Sequence, residues 1–221
     1  MKKCGLIVLW CALAATLLPA CAGPRHIRPG QVNPELCRLP FSSTGCRYIH
    51  GLDAELPGGA RMTVMGVAVI DPEADTIQAA IMTLEGLVLF DAASKGGSLQ
   101  VHRALPPFDV PQFAEGLMQD VRFIFMFPAR EPKTTGRLDD GSSVCRYQDN
   151  FGVTVDVIIR SGQSWEVGQY SAKGKKLRGL KIGALKNGIP GRLEFEALSP
   201  RPYALHMKLI SAEPVLPAET K

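Results

Sequence analysis

The sequence lacks the signatures that most often announce catalysis. No HExxH, GxSxG or GxxxxGKS/T occurs, so metalloprotease, α/β-hydrolase and P-loop nucleotide chemistry have no local support. The four histidines, His26, His50, His102 and His206, are scattered. No two cysteines stand as CxxC, which removes the common zinc spacings. Asp139-Asp140 is a pair of carboxylates, but adjacent side chains point apart, and a solvated turn describes them better than a cation site. Aromatics are scarce, at 7% of residues with two tryptophans. After the first twenty residues no apolar run approaches the ~20 residues of a spanning helix. There is no internal repeat and no low-complexity block. These absences argue against an enzyme, and no cofactor is implied. A hydrolase whose triad is dispersed along the chain remains the residual catalytic alternative.

What is present begins at the N-terminus. Lys2 and Lys3 precede an apolar run, Leu6 to Leu18, that closes in Leu18-Pro19-Ala20-Cys21. A charged start, a short apolar core and a small residue before the cut make a secretory signal over residues 1–20. The cut falls before a cysteine, which resembles the lipobox of bacterial lipoproteins. That resemblance implies that Cys21 is lipidated and becomes the mature N-terminus, carrying diacylglycerol and an N-acyl chain such as palmitate. Each buried methylene contributes about 0.8 kcal/mol, and more than one chain is needed for stable anchoring. Ala22, rather than an aspartate, follows, which implies the periplasmic face of the outer membrane. An ordinary signal peptide is the alternative. Loss of Lys2 and Lys3 lowers the formal charge from +4 to +2, which leaves no electrostatic case for nucleic acid as a partner.

Three cysteines remain in the mature chain, Cys37, Cys46 and Cys145, in a compartment that permits disulfides. Cys37 and Cys46 are close in sequence, with Pro40 and Gly45 between them. The spacing favours a Cys37–Cys46 loop with Cys145 free and buried, while pairing of Cys145 with either partner stays open.

Residues 21–50 read as a lipidated, proline-rich tether and cysteine loop. A domain over 51–212 follows, then a loose tail, 213–221. Strands are expected at Arg61 to Ile70, Thr76 to Thr83, Leu87 to Phe90 and Leu99 to Ala104, separated by turns at regular intervals. The period then changes. Val110, Phe113, Leu117, Val121 and Ile124 recur every three or four residues, with Asp109 as cap and Pro111 in the first turn, predicting an amphipathic helix. Its tail runs through Phe123, Phe125 and Phe127. Residues 129–142 read as an exposed loop. Strands resume at Ser143 to Gln148, Val153 to Arg160, Trp165 to Tyr170, Arg192 to Leu198 and Tyr203 to Ile210. The Lys173–Ile189 stretch fits either strand or helix.

The fold class is therefore mainly β with a helix (α+β). A long twisted antiparallel sheet tends to curl, so the expectation is an incomplete β-barrel closed by the mid-chain helix. Here the chain resembles the LolA/LolB lipoprotein-localisation carriers. The stretches that carry this are Gly86-Leu87-Val88-Leu89-Phe90, Phe113 to Pro128, and Ile189-Pro190-Gly191-Arg192-Leu193-Glu194-Phe195 running into Tyr203 to Ile210. The resemblance covers about residues 55–212. It implies an apolar cavity for acyl chains between half-barrel and helix.

The ligand-site candidates are Phe113, Leu117, Val121 and Ile124 on the helix and Met62, Val64, Met65 and Val67 on the first long strand. Ordinary core packing is the competing reading of each. Lys173, Lys175, Lys176, Arg178 and Lys181 form a run without an acidic residue, suited to anionic headgroups or an acidic partner, or simply solvated. The expected function is a lipid-anchored carrier or chaperone for acyl chains or lipoproteins, with a cavity of a few hundred Å³. The alternative is a structural or assembly lipoprotein that binds envelope proteins without a lipid cavity.

Overall fold

The computed structural model describes residues 23–126, 131–186 and 188–215. The signal segment 1–20, Cys21, Phe127 and residues 216–221 lie outside the described residues. The elements in chain order are β1 (Arg28–Pro29), β2 (Cys46–Glu55), β3 (Arg61–Asp71), β4 (Thr76–Met82), β5 (Val88–Lys95), β6 (Ser98–Ala104), α1 (Pro111–Phe125), β7 (Thr134–Arg137), β8 (Ser143–Gln148), β9 (Thr154–Arg160), β10 (Ser164–Tyr170), β11 (Lys176–Ile182), β12 (Leu185–Lys186), β13 (Ile189–Pro190), β14 (Arg192–Ala197) and β15 (Tyr203–Pro214). Among the described residues no helix is long and apolar enough to cross a membrane.

One antiparallel sheet holds thirteen of these strands in the order β1-β7-β8-β9-β10-β11-β14-β15-β2-β3-β4-β5-β6, and β12–β13 is a separate short hairpin. The edges β1 and β6 do not meet, so the sheet is an incomplete barrel, with α1 laid against its concave face. Side-chain alternation builds that face. Tyr48, Leu52, Val64, Ala68, Ile70, Ile77, Ala79, Ile81 and Phe90 are buried on one side of β2–β5. Leu193, Phe195 and Met207 continue it on β14 and β15, in the single large core cluster that also takes in α1.

Several expectations fail where long-range pairing overrides local pattern. Residues 46–50 belong to β2, a ten-residue strand that crosses the expected domain boundary at 50/51. The loop expected at 129–142 contains β7, which pairs with β8. The tail expected to loosen after Ser211 is still strand, with Ala212 opposite Tyr48 and Pro214 opposite Cys46. Lys173–Ile189 holds β11 and the short hairpin rather than a helix. Asp109 does not cap α1. Val110 occupies the N-cap without a side-chain bond, and Pro111 takes the first turn as expected.

The segment expected to be a tether is instead stitched around the sheet's edge. Ile27 packs with Leu138, Val144 and Ile158 in a second cluster on the outer face. Arg28 and Pro29 pair with Arg137 and Gly136. The chain then turns inward, where Cys37 and Leu39 join the main core. This explains why β9 is buried on both faces. Thr154, Asp156 and Ile158, which alternation would expose, lie under the N-terminal segment. Arg146 satisfies the buried Asp156 with two bonds, 2.6 and 2.7 Å, and donates to the Arg25 carbonyl at 2.7 Å.

The disulfide is also a correction. Cys37 bonds Cys145, with Cα atoms 5.7 Å apart, and Cys46 is the free, buried thiol. Proximity in sequence misled because Cys46 opens β2, six strands from β8 in the sheet order. The stretch between Cys37 and Cys46 carries Leu39 and Phe41 into the core.

Candidate functional site: the helix–sheet interface

The period of α1 places an apolar stripe over the concave face. Val121 and Ile124 are buried, while Phe113 and Leu117 are half-buried against the core. Aromatic rings anchor both ends. Phe113 meets Phe90 edge-on, centroids 5.3 Å apart, and lies 5.1 Å from Phe108. Phe125 stacks on Tyr48 at 5.1 Å and meets Phe41 at 5.0 Å, and Phe123 faces Phe195 at 6.2 Å. Such pairs contribute roughly 0.5–1.5 kcal/mol each beyond area burial. The four strand candidates divide. Met62 and Val64 share the concave face, whereas Met65 and Val67 alternate to the opposite side. Met65 and Val67 are therefore withdrawn from the helix-facing site.

The stripe analysis missed the most informative residue of the helix. Asp120 is buried, because its place three residues after Leu117 and four before Ile124 sets a carboxylate within the apolar stripe. Its carboxylate accepts from Arg178 Nε of β11 and from the Tyr203 hydroxyl of β15. Arg178 also donates to Gln169 Oε1 at 2.8 Å and to Gln119 Oε1 at 3.3 Å. Burial pushes the Asp120 carboxyl up, and Tyr203 and Arg178 hold back part of that rise. Burial, then the neighbouring Asp120 charge, pushes the Tyr203 phenol up. A polar latch thus joins α1 to two strands. A second tie sits on the same helix, an ion pair of Arg122 with Asp75 of the β3–β4 turn. Neither was legible locally, because the arginine and acid of each pair lie 58 and 47 positions apart.

Two further groups face the same core. His50 is 3% exposed, its ring 5.8 Å from that of Phe125, and burial holds its pKa down at about 4. Trp165 is buried, and its indole N–H is the one buried side-chain polar atom without a hydrogen-bond partner among the described residues.

Two hollows lie away from the helix. One hollow of about 430 Å³ is lined by Arg47, Val69, Gln78, Glu213, Pro214 and Val215. Another of about 120 Å³ includes Glu166, Lys176, Glu194 and His206. Both open on the outer side of the sheet, and neither is lined by a residue of α1. The aromatic contacts above occupy both ends of the region beneath the helix.

The basic run divides between the two faces of the sheet, with a register shift at Gln169/Tyr170 putting Lys176 on the opposite side from Arg178. Arg178 points inward to the latch. Lys176 and Lys181 point outward and pair across to Glu196 at 2.5 Å and Glu194 at 3.3 Å. The acids missing from the run are supplied by β14. Lys173 and Lys175, in the β10–β11 turn, are exposed and have no ion-pair partner among the described residues.

Comparison with solved structures identifies the architecture. A LolA superfamily protein from Nitrosomonas europaea superposes with a TM-score of 0.54 at 13% identity, covering 83% of this chain and 91% of its own. A domain assigned to outer-membrane lipoprotein sorting from Vibrio parahaemolyticus gives a TM-score of 0.35 at 9% identity, over 80% and 88% of the two chains. No family model matches the chain, and no curated protein matches it in sequence. The likeness is one of fold.

Proposed function

We propose that this chain is a lipid-anchored envelope carrier that takes an acyl chain, free or as part of a lipoprotein, onto its concave face by displacing α1. The observation that carries this is the latch. A helix that only filled a core would be held as well by apolar contacts, since a buried ion pair is weak evidence for stability and is best attested as a device that sets register or switches state. Asp120, Arg178 and Tyr203 give α1 a buried polar docking point within an apolar stripe, and the Arg122–Asp75 tie is half-exposed at its rim. Release of that point would expose Phe113, Leu117, Val121 and Ile124 together with the Met62 and Val64 face, a surface of the right chemistry for an acyl chain. The unpaired Trp165 N–H offers a donor for an ester carbonyl on the same face. The LolA-like fold and a disulfide suited to an oxidising compartment support the reading.

In this reading the chain has been captured closed, and desolvation of the acyl chain drives opening. Native mass spectrometry of residues 22–221 produced in a periplasm tests it. Retained lipid is expected, and retention falls when Phe113 and Leu117 are both replaced by serine. A protein that carries no lipid, and takes up no fatty acid when offered it, overturns the proposal. The ring contacts of Phe113 and Phe125 under the helix favour a second reading, an assembly lipoprotein that holds envelope proteins. Co-purification of a stoichiometric protein partner without lipid would select it.

A further inference from the structure

We propose that the β8–β9 and β10–β11 hairpin tips form a membrane-contacting corner, in which Phe151 enters the lipid and Lys173 and Lys175 meet anionic headgroups. The inference rests on the reading of Cys21 as the lipidated residue. It begins from where the described chain starts. A β-carbon built on Gly23 would stand 3.6 Å from the carbonyl oxygen of Gly174, and one built on Gly174 would stand 3.6 Å from Pro24. Gly23 and Pro24 therefore lie on the β10–β11 turn. Only two residues of chain, a span of at most about 7 Å, separate Gly23 from position 21. From Arg25 onward the segment is fixed by the Arg146 bond to the Arg25 carbonyl, by Arg25 itself beside Glu166 at 3.5 Å, and by β1. The domain has no slack with which to stand away from its anchor, so this corner is presented to the bilayer.

The chemistry of the corner suits that surface. Phe151 is 85% exposed, the most exposed of the large apolar side chains among the described residues. It sits in the β8–β9 turn, which Asp149 rigidifies by accepting from the amides of Phe151 and Val153, each at 2.9 Å. The two turns touch. A β-carbon on Gly152 would stand 3.1 Å from the β-carbon of Ala172. Ala172 adjoins Lys173, and Lys173 and Lys175 are exposed without ion-pair partners among the described residues. An aromatic ring at the level of the headgroups, flanked by lysines, is the pattern by which protein surfaces sit at an anionic interface. A protein partner would also accept lysines, but the short leash from an acylated cysteine commits this corner to the lipid surface.

The test uses the full lipidated protein with Phe151→Trp, reconstituted in phosphatidylethanolamine/phosphatidylglycerol vesicles at 3:1. Trp10 leaves with the signal segment and Trp165 is buried, so the new indole reports on the corner. A blue-shifted emission that brominated lipids quench is expected. Adding Lys173→Glu and Lys175→Glu should lower the ratio of inserted to free tip by about fivefold or more per lysine, the equivalent of roughly 1 kcal/mol each near an anionic surface. Neutral phosphatidylcholine vesicles should abolish that lysine dependence. Vesicle-bound protein whose introduced indole emits as in water and escapes quenching overturns the corner while leaving the anchor intact. Failure of the protein to associate with vesicles at all overturns both.

Discussion

Truncation of Asp120 isolates the latch. In Asp120→Ala, Arg178 keeps Gln169 and Gln119, but Tyr203 loses its acceptor and the guanidinium loses its counter-charge. Breaking a buried pair from one side costs about 3–5 kcal/mol. Arg178 is 18% exposed through its side chain and retains two amide partners, so the low end applies, about 3 kcal/mol. An orphaned buried hydroxyl alone accounts for roughly 1–3 kcal/mol of such a loss. With a urea slope of about 2 kcal/mol per molar, the unfolding midpoint should fall by about 1.5 M with the slope unchanged. Where the loss is confined to undocking of α1, amide exchange in the helix should accelerate by roughly a hundredfold. The triple replacement Asp120→Leu, Arg178→Met, Tyr203→Phe removes all three polar groups and should recover most of the stability. It should at the same time slow acyl uptake, because an apolar dock has no single point of release. A midpoint shift worth less than about 1 kcal/mol in Asp120→Ala would refute the assignment of these residues as the helix's docking point.

Four other outcomes are expected. His50 is neutral when folded down to about pH 4 and ordinarily titrates near 6.5, so the unfolded chain binds the extra proton between those values. Stability is full above pH 6.5 and falls by roughly 3 kcal/mol as pH drops to 4. His50→Phe should flatten that slope in urea titrations, while the raised Asp120 carboxyl contributes in the opposite sense as pH rises above its ordinary 3.8. Removing the Cys37–Cys145 link, 108 positions apart, should cost about 4–5 kcal/mol by loop entropy, read as the midpoint difference of the Cys37→Ala, Cys145→Ala double variant. Gly136→Ala drives a β-carbon to 2.1 Å from the Arg28 carbonyl oxygen. That contact is with backbone, so β1 should detach and proteases should cut the 23–33 segment well below the unfolding midpoint. Cys21→Ser should leave an unprocessed precursor on immunoblots, and a normally acylated product would sink the lipobox reading.

The latch and the strap show where local pattern stops being informative. Nine elements, β3 through β6, β8 through β10, β14 and β15, were readable to within a few residues because their faces alternate and their turns carry Gly, Pro or Asp. The helix was readable because Phe113, Leu117, Val121 and Ile124 recur at its period. Asp120 shares that face by its spacing from Leu117 and Ile124, but nothing nearby in sequence signals Arg178 and Tyr203, the partners that let a carboxylate stay there. Met65 and Val67 joined the site on composition, though alternation alone would have turned them away from Met62 and Val64. The basic run misled for a related reason. Its acids, Glu194 and Glu196, are opposite in the sheet rather than adjacent in the chain.

Sequence by itself determined the predominance of strands and one amphipathic helix, and it raised the expectation of a secretory start with its cysteine at position 21. Each follows from short-range periodicity or composition, which hydrophobic burial enforces over a few residues. Tertiary structure alone decided that Cys37 bonds Cys145, that β15 runs to Pro214 beside β2, and that residues 23–45 wrap both faces of the sheet. It also decided that Asp120 is buried. These depend on which strands pair across the whole chain, and the hydrogen-bond and burial energies that select the pairing act between residues tens of positions apart.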